Sequence, residues 1–316
     1  MQIIAVAVLT LAIVSATGSL AALAGRLSPT LDVAAHFMPV WLAADVAAAA
    51  SGLVLGGGAG HAAAILGGMG AFACVLLMSP EIWSGLRQRT ASTDQARTVR
   101  VVQLNLWRLN VDPAATIAWL VEADADVVVV QEVIERSDGI PAALAQAYPH
   151  QGESRVGTRI LSRFPVLESG AHRARSTKTH STGAWARLDH PSGPFEVFGF
   201  QAGWPIPPGV QQRDSADVAA LLDRFDRKNL IVCGDFNSTP WSAALRRQDR
   251  LFGIERRSRA LFTWPVQPYT RYRLSSPLPF LALDHIYAGP AWKTVSIGAG
   301  PRLGSDHLPV VAVLMR

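Results

Sequence analysis

Charge is what the first quarter of this chain lacks. Up to Pro80 the only formally charged side chains are Arg26, Asp32 and Asp45. That excludes an ordinary amphipathic domain there, because a solvated helix needs a polar face. Cysteine is scarce as well. Cys74 and Cys233, far apart in 316 residues, allow neither a disulfide framework nor a zinc-type spacing. Basic residues are missing before the first apolar run, which follows Met1-Gln2 directly, so the run lacks the opening of a secretory signal. No internal repeat is present to suggest a solenoid or an array.

What stands in place of charge is length of apolar sequence. Ile3 to Leu23 and His61 to Met78 are each long enough to span a bilayer. Met38 to Leu55 is Ala-rich with Asp45 in mid-run, and reads as a third span or as a helix lying at the interface. Residues 1–80 are therefore expected to form a membrane anchor of about three helices. Residues 81–97, polar with Arg87, Arg89 and Arg97, read as a juxtamembrane linker, and residues 98–316 as the functional domain. The positive-inside rule on these few arginines and Arg26 favours a cytoplasmic domain on an inner or plasma membrane. Small residues in the spans suit close helix packing, including self-association between copies. One internal carboxylate is little from which to build a transport pathway.

From Val99 onward, short β-branched runs alternate with helices. Asp112-Pro113 opens a helix by cap-and-proline chemistry, continued to Glu122. Val127 to Val130 is a strand covered on both faces. Ile140 to Ala147 and Asp214 to Phe225 read as helices, and Ala184–Leu188 and Phe195–Phe200 as a hairpin. Polar clusters sit where the apolar runs end. Asn105 and Gln131-Glu132 close two strands. Gly234-Asp235-Phe236-Asn237 follows Leu230-Ile231-Val232, Asp284-His285 lies further on, and Ser305-Asp306-His307 precedes Val310 to Val313. A strand end on a rigid sheet can hold polar groups still around a substrate.

These clusters, in this order and together with Gly157 to Pro165, make the chain resemble the endonuclease/exonuclease/phosphatase superfamily, the DNase I-like phosphoesterases, from about Thr98 to Arg316. The resemblance implies an α/β fold, a four-layer α/β/β/α sandwich, preceded here by transmembrane helices. It implies a Mg²⁺-dependent phosphoesterase, with Mn²⁺ as an alternative ion, that hydrolyses phosphodiester or phosphomonoester bonds with an activated water. Hard oxygen ligands with few imidazoles suit such ions. Glu132 takes the metal-carboxylate position, with Asn105 holding the metal or its ligands and Asp306 as a second metal-side carboxylate. Asp235 takes the part of the group that activates water, and Asn237 contacts the phosphate. His307 stabilises the transition state and Asp284 orients it. His285 adjoins Asp284 but points to the other side of its strand, and is left out of the site.

One departure stands out. Many relatives carry His where this chain has Gln201, an amide that can donate to the substrate phosphate but cannot act as a charged acid. A catalytically lapsed membrane module that binds phosphorylated ligands is therefore the alternative reading. Two segments are expected to shape the cleft: Trp204 to Gln212, and Arg256 to Phe280. The latter mixes Arg256, Arg257, Arg259, Arg271 and Arg273 with Trp264, Tyr269 and Tyr272. With a pI near 9.7, that mixture suits nucleic acid, a nucleotide or a lipid headgroup.

Overall fold

Three long apolar helices lead the chain in the computed structural model, which describes residues 2–87, 98–153, 157–173, 182–266, 276 and 278–316. They are α1 (Gln2–Leu23), then, after a short α2 (Pro29–Asp32), α3 (Met38–Leu55) and α4 (Gly57–Arg87). The stretches Gln2–Arg26, Pro29–Leu55 and Gly57–Gly85 are long and apolar enough to cross a membrane. They bundle through small residues. A Cβ on Gly52 would sit 2.5 Å from the Gly60 carbonyl oxygen, and one on Gly67 2.5 Å from that of Asp45, so the backbones of α3 and α4 touch. The expected linker is helical in its first part, since α4 runs through Pro80 to Arg87. Glu81, on that extension, is gripped by both Nη atoms of Arg256 at 3.0 and 2.9 Å, which ties the end of α4 to the domain below. Residues 88–97, with Arg89 and Arg97, lie outside the described residues.

The remainder alternates strands and helices: β1 (Thr98–Asn105), α5 (Pro113–Glu122), β2 (Val127–Gln131), α6 (Ile140–Ala143), β3 (His150–Gln151), β4 (Arg159–Ser162), β5 (Val166–Arg173), β6 (Thr182–Leu188), β7 (Phe195–Gln201), α7 (Val210–Leu222), β8 (Leu230–Asp235), α8 (Ala243–Phe252), β9 (Glu255–Arg256), β10 (Asp284–Ala288), β11 (Lys293–Ala299) and β12 (Val310–Met315). Local chemistry sets several of these. Asp112 Oδ1 accepts from Ala115 N at 2.9 Å and caps α5 ahead of Pro113. The hairpin of β6 and β7 pairs Leu188 with Phe195, as the sequence predicts. α6 stops at Ala143, short of Ala147, because the chain tightens into three-residue turns such as Ala145 N to Ala142 O. α7 begins at Val210, ahead of the predicted Asp214, behind Gly209 at φ +88°.

Two six-stranded sheets result, in the orders β11-β12-β1-β2-β4-β3 and β5-β6-β7-β8-β10-β9. They pack face to face over one apolar core: Val99, Val101, Val127, Val129, Val310 and Ala312 from the first meet Phe195, Val197, Ile231, Cys233, Ile286 and Ala288 from the second. The alternate residues face outward. Val102, Leu104 and Val128 pack against Leu120 of α5 and Ile140 of α6, while Phe198, Leu230 and Val232 pack against Leu222 of α7 and Leu245 of α8. The architecture is the expected four-layer α/β/β/α sandwich with the helical bundle in front of it.

Candidate active site

Strand alternation delivers the polar residues to one place. Val99 and Val101 face the inter-sheet core, so Gln103 and Asn105 on β1 face the same way. Val127 and Val129 lead to Gln131, Val197 to Gln201, and Ile231 and Cys233 to Asp235; Asp284 begins the column that Ile286 and Ala288 continue. Pairing aligns these ends: Asn105 lies opposite Gln131, and Asp235 lies opposite both Gln201 and Asp284. The same face that is apolar in the middle of the sandwich turns polar at one end. Gly234 lets β8 and β7 approach closely there, since a Cβ on it would fall 1.7 Å from the Phe200 carbonyl oxygen.

Glu132 breaks the alternation. As the residue after Gln131 it should turn away, but it sits at φ +55°, a left-handed conformation rare for a non-glycine residue. Its carboxylate then accepts from Asn105 Nδ2 at 3.1 Å, Gln201 Nε2 at 2.9 Å and Arg108 N at 3.2 Å. Asn237, after Asp235, is likewise left-handed at φ +47°. Its backbone N–H donates to Asp235 Oδ1 at 2.9 Å, and its Nδ2 to the Ala202 carbonyl at 2.9 Å and Asp235 Oδ2 at 3.3 Å.

The centre is an acid–imidazole–acid series. His307 Nδ1 bonds Asp284 Oδ2 at 2.8 Å, and His307 Nε2 points between Asp235 Oδ2 and Asp306 Oδ1, 4.0 Å from each. Burial alone would drive the Asp284 carboxyl up, but the His307 charge and hydrogen bond outweigh it and hold it below the usual carboxylate range. Burial would likewise keep the imidazole neutral, yet Asp284 and Asp235 raise His307 well above its ordinary value, so it is a cation at neutral pH. Asp235 has no such close counter-charge. Burial pushes it up to about 7, only partly offset by His307. Burial also raises Asp306.

The structure thus brings together all eight residues that the sequence singles out: Asn105, Glu132, Gln201, Asp235, Asn237, Asp284, Asp306 and His307. Two of them bond the Glu132 carboxylate. Asn105 has its oxygen occupied by Trp107 N and reaches Glu132 and Asp235 through its nitrogen, so it orients carboxylates. Gln201 spends an amide proton on Glu132. His285 is turned away, its Nε2 2.9 Å from the Ser238 carbonyl, and burial lowers it to about 3.

A divalent cation fits the acidic side of the site. Asp306 Oδ1 is buried with no hydrogen-bond partner, and the charge of Glu132 is close enough to raise the Asp306 carboxyl. An all-oxygen carboxylate set suits a hard ion. The trio Asp235, Asp284 and His307, whose ligand atoms lie within 4.8 Å of one another, is the alternative place for an ion, with the imidazole already bonded to Asp284 through Nδ1.

Two residues passed over in the sequence belong here. Gln103 Nε2 donates to Asp284 Oδ1 at 2.8 Å and to Gln131 Oε1 at 2.9 Å, and strand alternation was the signal for it. Trp264, assigned only to the cleft wall, bonds Asp306 Oδ2 at 3.1 Å. The basic cleft needs correction. Arg256 is 2% exposed and neutralised by Glu81 and Asp249, and Arg257 is buried against the Trp292 carbonyl at 2.9 Å. Acidic groups on α4 and α8 draw Arg256 away from the site. Tyr269, Arg271, Tyr272 and Arg273 lie outside the described residues. Trp204 and Ile206 stand exposed beside Gln201.

Comparison with known proteins agrees with this geometry. No curated protein matches the chain. Among solved structures, the chain is similar to beta toxin from Staphylococcus aureus with bound magnesium ions (14% identity, 68% of this chain and 98% of that one, TM-score 0.53). It is similar to sphingomyelinase C from Streptomyces griseocarneus (18%, 68% and 99%, TM-score 0.51). It also resembles D. rerio TDP2 complexed with single-strand DNA product (16%, 71% and 100%, TM-score 0.57). At these identities the likeness is one of fold. The endonuclease/exonuclease/phosphatase family model matches residues 102–307, from β1 through His307, and the chain belongs to that family.

Proposed function

We propose that the protein is a membrane-anchored phosphoesterase that uses a divalent cation, Mg²⁺ or Mn²⁺, to hydrolyse phosphodiester bonds. The observation that carries the reading is the geometry around His307, which bonds Asp284 at 2.8 Å and faces Asp235 across 4.0 Å; burial raises Asp235, and the neighbouring carboxylates raise His307. Asp235, near neutrality, is suited to take a proton from water as its oxygen attacks phosphorus and the ester P–O bond breaks. His307, kept cationic by Asp284, faces the same space and would stabilise charge building on the phosphoryl oxygens. Asn237, fixed by Asp235 and Ala202, presents the amide next to the phosphate position. Glu132 and Asp306 would hold the cation, with Asn105 and Gln201 orienting Glu132. When bound, that ion supplies charge neutralisation at the phosphoryl group and the leaving oxygen. The three apolar helices would keep this chemistry at a membrane on its cytoplasmic side, with a lipid headgroup, a nucleotide or nucleic acid as substrate.

The test is turnover by the full-length protein in detergent on bis(4-nitrophenyl) phosphate, DNA, RNA and phospholipid, with Mg²⁺, Mn²⁺ or chelator. Metal-dependent hydrolysis that disappears in Asp235→Ala and His307→Ala is expected. A folded protein that binds the ion yet cleaves nothing would overturn the reading in favour of the lapsed module.

A further inference from the structure

The loop that carries Asp235 and Asn237 runs directly into the anchor. Two positions beyond Asn237, Thr239 N donates to His36 Nδ1 at 3.3 Å, and Thr239 Oγ1 lies 3.4 Å from the same nitrogen. His36, 3% exposed, sits in the turn between α2 and α3. Asp32, 2% exposed at the end of α2, accepts the first two N–H groups of α8 on its two oxygens, Ala243 at 2.6 Å and Ala244 at 2.8 Å. Between these contacts Trp241 is buried among Ala22, Ala35, Met38, Cys74 and Met78 of the bundle.

From the inner side the same loop is held by Gln211 Nε2 on the Asn237 carbonyl at 2.6 Å and by His285 on the Ser238 carbonyl at 2.9 Å. The loop is therefore clamped between the sandwich and the α1–α3 connection. Two residues of chain span at most about 7 Å, so the outer clamp acts within that distance of Asn237. Asn237 needs such support, because a left-handed non-glycine residue persists only where its surroundings impose it. A tether alone would not require a buried carboxylate with both oxygens committed to the backbone of the catalytic domain. Tethering contacts exist elsewhere, in Arg246 Nη2 to the Leu77 carbonyl at 2.7 Å and in Glu81 with Arg256.

We propose that Asp32 and His36 are positioning residues for the Asp235–Asn237 loop, so that the membrane anchor completes the active site as well as locating it. The inference rests on the catalytic reading of Asp235 and Asn237. It is tested on the full-length protein in nanodiscs with Mg²⁺ and bis(4-nitrophenyl) phosphate, together with amide hydrogen exchange over residues 236–244. Asp32→Ala and His36→Ala are expected to lower kcat by about ten- to a hundred-fold, the scale of a small misplacement of a reacting group, with KM little changed and exchange over 236–244 accelerated. His36→Asn, which keeps an acceptor near the Nδ1 position, should restore most of the rate. Glu81→Gln, which weakens the tie of α4 to Arg256 away from the loop, should leave kcat as it is. Should Asp32→Ala fail to fold, Asp32→Asn keeps one acceptor and carries the test. Wild-type turnover that Asp32 and His36 variants leave intact, or that Glu81→Gln lowers equally, overturns the inference alone. A wild-type protein that hydrolyses nothing overturns the catalytic reading and this inference with it.

Discussion

The bundle and the sandwich each bury an aspartate completely, and they treat it differently. In the bundle, Asp45 Oδ2 accepts from Ser19 Oγ at 2.6 Å, while its Oδ1 has no hydrogen-bond partner. In the sandwich, Asp284 has both oxygens bonded, one to His307 and one to Gln103, each at 2.8 Å. The bundle is held by shape, through glycines that let α3 and α4 touch, and a half-satisfied carboxylate is tolerated within it. The sandwich surrounds its carboxylate with a network, because a charge kept for chemistry has to be held in one place and one protonation state. Complete burial of a polar group is therefore a weak indicator of function by itself, and the neighbours that share its network say more.

The largest test of that contrast is catalytic. Asp235→Ala should lower kcat/KM on a phosphodiester by about a thousand-fold, the scale of a lost general base, while Asp45→Asn leaves the initial rate unchanged. Equal damage from both would break the comparison. Next comes stability. Asp284→Ala strands a buried imidazolium and should cost about 3 kcal/mol, whereas Asp45→Asn should shift stability by less than about 1 kcal/mol; thermal unfolding followed by tryptophan fluorescence decides it.

The pH dependence sharpens the same point. Asp235 is raised from 3.8 to about 7 and His307 is raised above 6.5, so the folded state holds more protons than the unfolded one across that range. Their contribution to stability is present at low pH and is lost as pH rises through the folded values. Asp284, lowered, works the other way and matters only as pH falls below about 4. Chelator-treated protein should therefore be less stable at pH 8.5 than at pH 5, by roughly 2–3 kcal/mol from Asp235 alone, with His307 adding in the same direction. A higher melting temperature at pH 8.5 would contradict the assignment of raised groups. The smallest effect concerns Gln201→His: an imidazole N–H that takes over the bond to Glu132 should change turnover by less than about ten-fold; a hundred-fold fall would mean that an imidazole cannot replace the amide in holding Glu132.

Much of this site was legible because strand ends announce themselves. An apolar run that stops at Asn105 or Asp235, or starts after Asp284, predicts both a strand and a polar group at its tip, and the family resemblance supplied the order. The fold followed from the same runs, down to the Leu188–Phe195 pairing of the hairpin. What stayed hidden depends on long-range partners. Nothing local reveals that Glu132 reverses its direction through a left-handed φ, or that Arg256 turns to meet Glu81 from α4, 175 positions earlier. The extension of α4 past Pro80 was obscured for the same reason, since a distant ion pair sustains it. Gln103 was readable from alternation as a member of the strand-end cluster, but its bond to Asp284 depends on a partner 181 positions away.

The column of residues shared by core and site has one more consequence. Val101, Gln103 and Asn105 stand on one face of β1, and a single-residue insertion early in that strand would put Val102 and Leu104 in their place. It would expose the wrong surface to each neighbouring layer and remove the amides that steady Asp284, Glu132 and Asp235 in the same stroke. A register error would thus dismantle core and candidate site in one event, and a chain that has assembled its hydrophobic centre correctly has already proofread the polar groups at its end.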